Sequence, residues 1–197
     1  MSSQELVDLV NDDDQIVGRA IRSDCHGNPD LIHRSVHVLL FNSKLQLLLQ
    51  KRSASKDIQP GKWDSSVGGH LELGEDYLTA AKREMHEELG VTGIALTGLY
   101  ASKIRNEIES ENIYTYLAIY DGEIEFAVDE IDEVRFWCAD EIELALGHGC
   151  FTPNFEEEWQ MFSDWSRKYQ ADSGERALCA GDSFPDLFRS LRGTDEA

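Results

Sequence analysis

Three glutamates with helical spacing could together hold a metal ion in this chain. Glu84, Glu87 and Glu88 stand at positions i, i+3 and i+4, so on a helix they project from one face and can reach the same ion. Carboxylate oxygens are the ligands that Mg²⁺ or Mn²⁺ prefers, and a Mg²⁺ that keeps several waters is usually shared with substrate phosphates. The spacing therefore indicates a cation site for a diphosphate.

The three glutamates belong to a longer run of fixed positions, which we call the glutamate pattern. It reads Gly69-x5-Glu75-x7-Arg83-Glu84-Met85-x-Glu87-Glu88-x-Gly90-Val91. A solvated acidic helix face is the alternative interpretation, and it suits a chain rich in Asp and Glu. That alternative explains the acidity but not the spacing, so we favour a glycine loop followed by a helix that carries a cation site.

The opposite face of this helix carries apolar residues at the spacing of a buried stripe. We expect four of them to pack inward: Leu78, Ala81, Met85 and Leu89. The pattern predicts a helix over about residues 76–89, and Gly90 then ends it as a left-handed cap.

The elements that must position this helix are predicted to be mainly strands. Two hairpins precede it, and three further strands and two helices follow it. The hairpin strands are predicted at residues 6–10 with 15–21 and at residues 36–41 with 45–50. The later strands are predicted at residues 94–103, 113–121 and 134–138, with a short helix at 139–146. Thr152 and Pro153 open the last helix, whose apolar stripe is Phe155, Trp159, Phe162 and Tyr169.

The bulk properties limit the partners of the chain. With 38 acidic and 18 basic residues, the 197-residue chain has a formal charge of -20, which argues against nucleic acid or an anionic membrane as a partner. A small-molecule diphosphate stays available if a cation bridges it to the protein. The sequence leaves a homodimer open.

The four cysteines show no CxxC spacing, and no basic region followed by an apolar run opens the chain. We therefore expect a cytoplasmic protein. The length is most simply one domain with additions. We expect that domain at residues 1–172, with a β extension at its start, and a partly ordered tail at residues 173–197.

The glycine loop and the glutamate pattern resemble those of the Nudix hydrolases, whose box the chain matches at every defining position. The resemblance implies the Nudix fold, an α/β/α sandwich around a mixed β-sheet in the broad α+β or α/β class. It also implies hydrolysis of a nucleoside diphosphate linked to another group, with Mg²⁺ or Mn²⁺ as cofactor.

The same resemblance implies roles for individual residues. Glu84, Glu87 and Glu88 would bind the metal, and Glu87 or Glu88 would orient the attacking water. The carbonyl of Gly68 or Gly69 would add a ligand. Arg83 would pair with a glutamate of the pattern. Arg52 and Lys56 would be substrate-binding residues, and Glu130 or Glu133 would serve as an additional base.

Outside the glutamate pattern the chain is similar to type I isopentenyl diphosphate isomerase. The similar segments include Val7 to Asn11, Gln50-Lys51-Arg52 and Pro60-Gly61-Lys62-Trp63. The metal site of that isomerase falls on five residues here: His26, His33, His70, Glu109 and Glu111. Glu109 and Glu111 would share one face of a strand, and imidazoles with carboxylates suit Zn²⁺ or Mn²⁺. Each histidine taken alone is more often a surface or hydrogen-bonded residue.

The isomerase chemistry needs a cysteine, and the corresponding position here is Gly68. We therefore interpret the chain as an isomerase-like Nudix hydrolase that lacks the isomerase cysteine. Isopentenyl diphosphate isomerase activity is one alternative. A non-catalytic Nudix domain that binds a nucleotide as a sensor is another.

Overall fold

A computed structural model of the chain describes residues 6–56 and 58–172. The predicted tail at residues 173–197 lies outside the described residues, and the domain boundary stays a prediction. Among the described residues, no helix is both long enough and apolar enough to cross a membrane.

The described residues form nine strands and four helices. The strands are β1 (Leu6–Val10), β2 (Ile16–Ile21), β3 (Ile32–Phe41), β4 (Leu47–Arg52), β5 (Trp63–Asp64), β6 (Val67–His70), β7 (Thr97–Arg105), β8 (Ser110–Ile119) and β9 (Ile131–Trp137). The helices are α1 (Arg22–Cys25), α2 (Tyr77–Leu89), α3 (Ala139–Ala145) and α4 (Pro153–Asp172). The predicted strands and helices are therefore present, with ends shifted by a few residues, and α1, β5 and β6 were not predicted.

The chain divides into two compact units, which are described separately. Of the described residues, the first unit contains 6–39, 66–118 and 123–127. The second contains 40–56, 58–65, 119–122 and 128–172.

In the first unit, β1 and β2 form the predicted N-terminal hairpin, with Leu6 paired to Ile21. The turn is fixed by Asn11, whose Oδ1 accepts hydrogen bonds from the backbone N–H groups of Asp13 and Gln15. Such Asx turns are the usual role of asparagine in a tight reversal. β3 pairs antiparallel with β6 and neighbours β8, which pairs with β7.

Helix α2 begins and ends as its sequence predicts. The Asp76 carboxylate accepts a hydrogen bond from the backbone N–H of Thr79, and Gly90 adopts a φ of 67° at the other end. Ala81, Met85 and Leu89 are buried as expected, but Leu78 is 39% exposed. The prediction for Leu78 was wrong because the buried face is rotated toward Ala80 and Glu88.

In the second unit, β4 pairs antiparallel with β9 and β5. The second predicted hairpin is present, since Phe41 pairs with Leu47. Strand β4 starts at Leu47 rather than residue 45 because Leu45 has a φ of 64° within the turn.

Helix α4 packs an aromatic stripe into the core of the second unit. Thr152 caps the helix, because its Oγ1 accepts a hydrogen bond from the Phe155 backbone N–H at 3.1 Å. Of the predicted stripe, Phe155, Trp159 and Phe162 are buried. Tyr169 instead stacks on Trp165, with ring centroids 5.3 Å apart.

Candidate active site

Strand β6 and helix α2 meet at one edge of β6. Gly68 and His70 are two residues apart on β6, so their main-chain N–H and carbonyl groups point to the same side of the strand. The Gly68 N–H lies 3.4 Å from Oε2 of Glu88, and the His70 carbonyl accepts a hydrogen bond from Nη2 of Arg83 at 2.9 Å. The Gly68 carbonyl faces the side that its N–H faces. The polar side chains of α2 therefore lie along the same edge as that carbonyl.

Gly69 leaves room for one of the three glutamates. A Cβ atom at Gly69 would overlap the carboxylate group of Glu84. Any side chain at this position would displace Glu84, so the second glycine of the loop is required by packing.

Arg83 joins the loop to the helix through its guanidinium group. It binds Glu75 with two nitrogens, Nε at 3.1 Å and Nη2 at 2.9 Å from the carboxylate oxygens. Its Nη1 lies 2.8 Å from Oε1 of Glu84 and 3.0 Å from Oε2 of Glu87. These contacts raise the pKa of Arg83, with the Glu75 hydrogen bonds contributing most. The predicted pairing with a glutamate of the pattern is present in the structure.

The three glutamates of the predicted metal site differ in exposure. Glu88 is buried, the Glu84 side chain is 13% exposed, and the Glu87 side chain is 56% exposed. Burial raises the pKa of Glu84, and the hydrogen bond from Arg83 opposes that rise. Glu84 and Glu87 share one arginine, which also binds Glu75, while Glu88 faces the Gly68 N–H. This surplus of negative charge and the set of hard oxygen donors fit Mg²⁺ or Mn²⁺.

A second group, which we call the histidine cluster, consists of His33, His70 and Glu111. One ligand atom from each residue lies within 4.8 Å of the others. Oε1 of Glu111 lies 2.9 Å from Nε2 of His70 and 3.2 Å from Nε2 of His33. The sequence predicted these three as metal ligands, and β6, β3 and β8 bring them together.

The histidine cluster is buried and incompletely hydrogen-bonded. Burial would raise the pKa of Glu111, but the imidazoles of His33 and His70 hold that pKa well below its usual range. Burial lowers the pKa of His70 despite the nearby carboxylate. Within the described residues, Nε2 of His33 and Nδ1 of His70 lack a hydrogen-bond partner of good geometry. Buried nitrogens without such partners, beside a carboxylate, suit a metal ion.

Of the other two residues predicted for this site, His26 lies at its margin. The ring centroid of His26 is 5.6 Å from that of His70 and 6.5 Å from that of His33. Glu109 was expected to share a strand face with Glu111, but β8 begins only at Ser110. Glu109 instead closes the turn, where its carbonyl accepts a hydrogen bond from the backbone N–H of Asn106. That expectation was wrong because the β7–β8 turn extends through Glu109.

The predicted substrate-binding cations belong to the second unit and pair with carboxylates there. Nη1 of Arg52 lies 3.2 Å from Oδ2 of Asp64. Nζ of Lys56 lies 2.8 Å from Oε2 of Glu130, one of the two candidates for an additional base. The other candidate, Glu133, lies 3.9 Å from Nζ of Lys51. Their roles in substrate binding and catalysis stay predictions.

Sequence reasoning missed a polar network that fixes the N-terminal hairpin next to the histidine cluster. Oδ1 of Asp14 accepts hydrogen bonds from Nε of Arg34, the hydroxyl of Tyr77 and Nδ2 of Asn112, the residue after Glu111. Arg105 donates to the carbonyl of Glu111 at 2.6 Å. The available signal was the run of aspartates at the hairpin turn, because adjacent carboxylates in a folded chain need cationic groups nearby.

Comparisons with known proteins point to one family. A family model described as the NUDIX domain matches residues 31–155. A protein of Yersinia pestis named as the uncharacterized Nudix hydrolase YPO2781/y1614 is 30% identical over 176 residues, which cover 87% of this chain and 91% of that protein. The uncharacterized Nudix hydrolase lmo0368 of Listeria monocytogenes is 33% identical over 151 residues, with 75% and 88% covered.

Solved structures agree with the predicted fold. The crystal structure of DR0079 from Deinococcus radiodurans has a TM-score of 0.69 at 27% identity and covers 80% of this chain and 98% of that one. The NUDIX domain of NrtR from Shewanella oneidensis, solved with ADP ribose, has a TM-score of 0.55 at 15% identity, with 67% and 86% covered. The predicted class, helices packed around a mixed β-sheet, is thereby confirmed.

Proposed function

The chain belongs to the Nudix hydrolase family, and from that premise we propose that it hydrolyses the diphosphate linkage of a nucleoside diphosphate derivative or related small molecule. The observation that carries the proposal is that Arg83 binds Glu84, Glu87 and the His70 carbonyl, while Glu88 faces the Gly68 N–H on the same edge of β6. We propose Mg²⁺ or Mn²⁺ as the cofactor.

The residues that would hold this ion are Glu84, Glu87 and Glu88 together with the carbonyl of Gly68. A bound ion supplies charge neutralisation on the diphosphate oxygens and a lower pKa for a coordinated water. Glu87 or Glu88 orients the attacking water and accepts its proton as the water attacks phosphorus. Arg83 holds the carboxylates of Glu84 and Glu87 in place. We also propose Arg52 and Lys56 as substrate-binding residues.

A second ion is proposed for the histidine cluster, with His26 and Glu109 close by. The buried nitrogens of His33 and His70 support it, and the mixed imidazole and carboxylate ligands favour Zn²⁺ or Mn²⁺. Metal analysis of the purified protein tests this directly. We expect tightly held metal in the wild type and its loss in His33→Ala; equal metal content in both proteins would refute the second site.

The histidine cluster also supports the narrower proposal that the chain is an isomerase-like member of the family. Isomerase activity itself is the weaker alternative, because Gly68 stands at the position of the isomerase cysteine and cannot transfer a proton. Incubation with isopentenyl diphosphate in D₂O tests the alternative. We expect no deuterium on carbon, and exchange that depends on Glu111 would establish the isomerase instead.

A substrate panel with a metal titration tests the hydrolase proposal. The panel should include ADP-ribose, a nucleotide sugar, a coenzyme derivative and an isoprenoid diphosphate, each with Mg²⁺, Mn²⁺ or a chelator. We expect at least one compound to be hydrolysed with Mg²⁺ or Mn²⁺ and to stay intact with the chelator. Failure of every compound at every metal concentration would count against the proposal.

A further inference from the structure

One histidine on the face of β3 that carries the histidine cluster has no role in the proposed site. His33, Ser35 and His37 alternate along β3, so their side chains lie on one face of the sheet. Directly paired residues of antiparallel strands share a face, and Ser35 pairs with His70 while His37 pairs with Gly68. On that face, the pair formed by His37 and Gly68 is therefore the next one along from the pair formed by Ser35 and His70.

Because Gly68 has no side chain, the His37 ring can lie close to the main chain of β6. A Cβ atom at Gly68 would lie 3.4 Å from Cδ2 and 3.8 Å from Nε2 of His37. The edge of the imidazole that carries Nε2 thus lies beside Gly68. His37 is partly exposed, so a ligand on this face could reach it.

Gly68 also lies between the two groups of proposed ligands. Its N–H faces Glu88 of the glutamate pattern, and two residues further along β6 is His70 of the histidine cluster. Cross-strand diagonal neighbours such as His37 and His70 are separated by about 7–8 Å, which is within reach of long side chains. A diphosphate that contacts both groups would pass beside Gly68 and His37.

We propose that His37 is a substrate-binding residue whose imidazole N–H donates a hydrogen bond to a phosphate oxygen of the diphosphate. This inference rests on the proposed hydrolase function. Hydrogen bonds to charged acceptors are stronger than neutral ones. Both the charged ring and the Nε2–H tautomer of the neutral ring carry a donor at Nε2. A histidine can therefore donate to phosphate here without a permanent cation.

Binding of methylene diphosphonate, a diphosphate mimic that cannot be hydrolysed at its bridge, tests the inference by calorimetry with Mn²⁺. His37→Phe removes the donor and keeps a flat ring, and we expect it to weaken binding about 10-fold or more. His37→Gln can place an amide N–H near the position of Nε2, so it should retain most of the affinity. His148→Gln, at an exposed histidine of the second unit, is the matched control and should bind like the wild type.

Turnover of the best panel substrate separates this inference from the proposed function. We expect His37→Phe to raise KM while thermal unfolding and Mn²⁺ affinity stay close to those of the wild type. Unchanged diphosphonate affinity in His37→Phe, with an active wild type, would overturn the role of His37 alone. If His37→Phe instead lost affinity for Mn²⁺ and kept its affinity for the diphosphonate, His37 would be a metal ligand. That result would also overturn the proposal. A wild type that neither binds the diphosphonate nor hydrolyses any substrate would overturn both proposals.

Discussion

Arg83 is the residue on which the geometry of the site depends most. Its guanidinium contacts three carboxylates and one main-chain carbonyl, which fixes the loop and the helix in one arrangement. Planar guanidinium groups satisfy such sets of acceptors, and the ammonium group of lysine cannot reproduce the two-nitrogen contact with Glu75.

Replacing Arg83 should therefore affect both stability and rate. We expect Arg83→Ala to lower the free energy of unfolding by about 2–4 kcal/mol, because the partly buried carboxylates of Glu75 and Glu84 lose their partner. We expect Arg83→Lys to recover only part of the loss. Chemical denaturation measures the first effect and steady-state kinetics the second. An Arg83→Ala protein as stable as the wild type would show that the contacts are incidental.

The Glu75–Arg83 pair should make stability depend on pH. Burial raises the pKa of Glu75, but the hydrogen bonds from Arg83, the hydrogen bond from the Glu72 backbone N–H and the charge of Arg83 together leave that pKa below its ordinary value. A carboxyl with a lowered folded-state pKa stabilises the protein above its unfolded pKa of about 4.3 and loses that contribution as pH falls through the folded value.

Glu75→Gln is the variant that isolates this effect. We expect it to cost about 1–2 kcal/mol at pH 7, after allowance for solvent screening. The difference from the wild type should shrink as the pH falls below about 4. Denaturation at a series of pH values measures it, and a difference that is constant down to pH 3 would contradict the pairing.

At the scale of single elements, α2 is the element that its own sequence specifies best. Asp76 begins the helix with hydrogen bonds from the backbone N–H and the hydroxyl of Thr79, at 3.0 Å and 2.8 Å. Gly90 ends it in the left-handed conformation. Both signals are local, so the helix bounds could be predicted from the sequence.

The cap of α2 can be tested apart from the chemistry. We expect Asp76→Ala to lower the free energy of unfolding, because one backbone N–H loses its partner. Asp76→Asn, which keeps a capping oxygen, should lose less. Denaturant titration compares the three proteins, and the catalytic rate constant should change little. A loss in Asp76→Asn as large as that in Asp76→Ala would contradict a capping role.

Other features of the elements depended on packing and could not be predicted. Leu78 fits the apolar spacing of α2, yet the helix is rotated so that Glu88 is buried and Leu78 is exposed. The sequence predicts Glu109 in a strand, yet in the structure it belongs to the turn before β8. The contacts of His33 and His70 with Glu111 join strands far apart in sequence, and only the resemblance to a known enzyme indicated them.

At the scale of the whole molecule, a formal charge of -20 makes the response to cations informative. Self-repulsion of like charges opposes the compact state, so any salt should stabilise the fold to some degree. A specific site adds a larger effect that depends on the identity of the ion.

We expect Mn²⁺ or Mg²⁺ at about 100 times its dissociation constant to stabilise the protein by about 3 kcal/mol. For a chain of this size each kcal/mol corresponds to about 2–4 °C in melting temperature. NaCl at matched ionic strength is the control for general screening, and Glu84→Gln is the control for the site. Equal shifts with NaCl and Mn²⁺ would indicate screening alone.

The proposal that the chain is a hydrolase and not a nucleotide sensor of the same fold rests on the three glutamates of α2. The most direct measurement is the catalytic rate constant for the best panel substrate with saturating Mg²⁺, compared between the wild type, Glu87→Gln and Glu88→Gln. We expect the rate to fall about 10²–10⁴-fold in the variant that loses the proton acceptor, while both variants keep the fold of the wild type. Undiminished turnover in both variants would contradict the assignment of the chemistry to this helix.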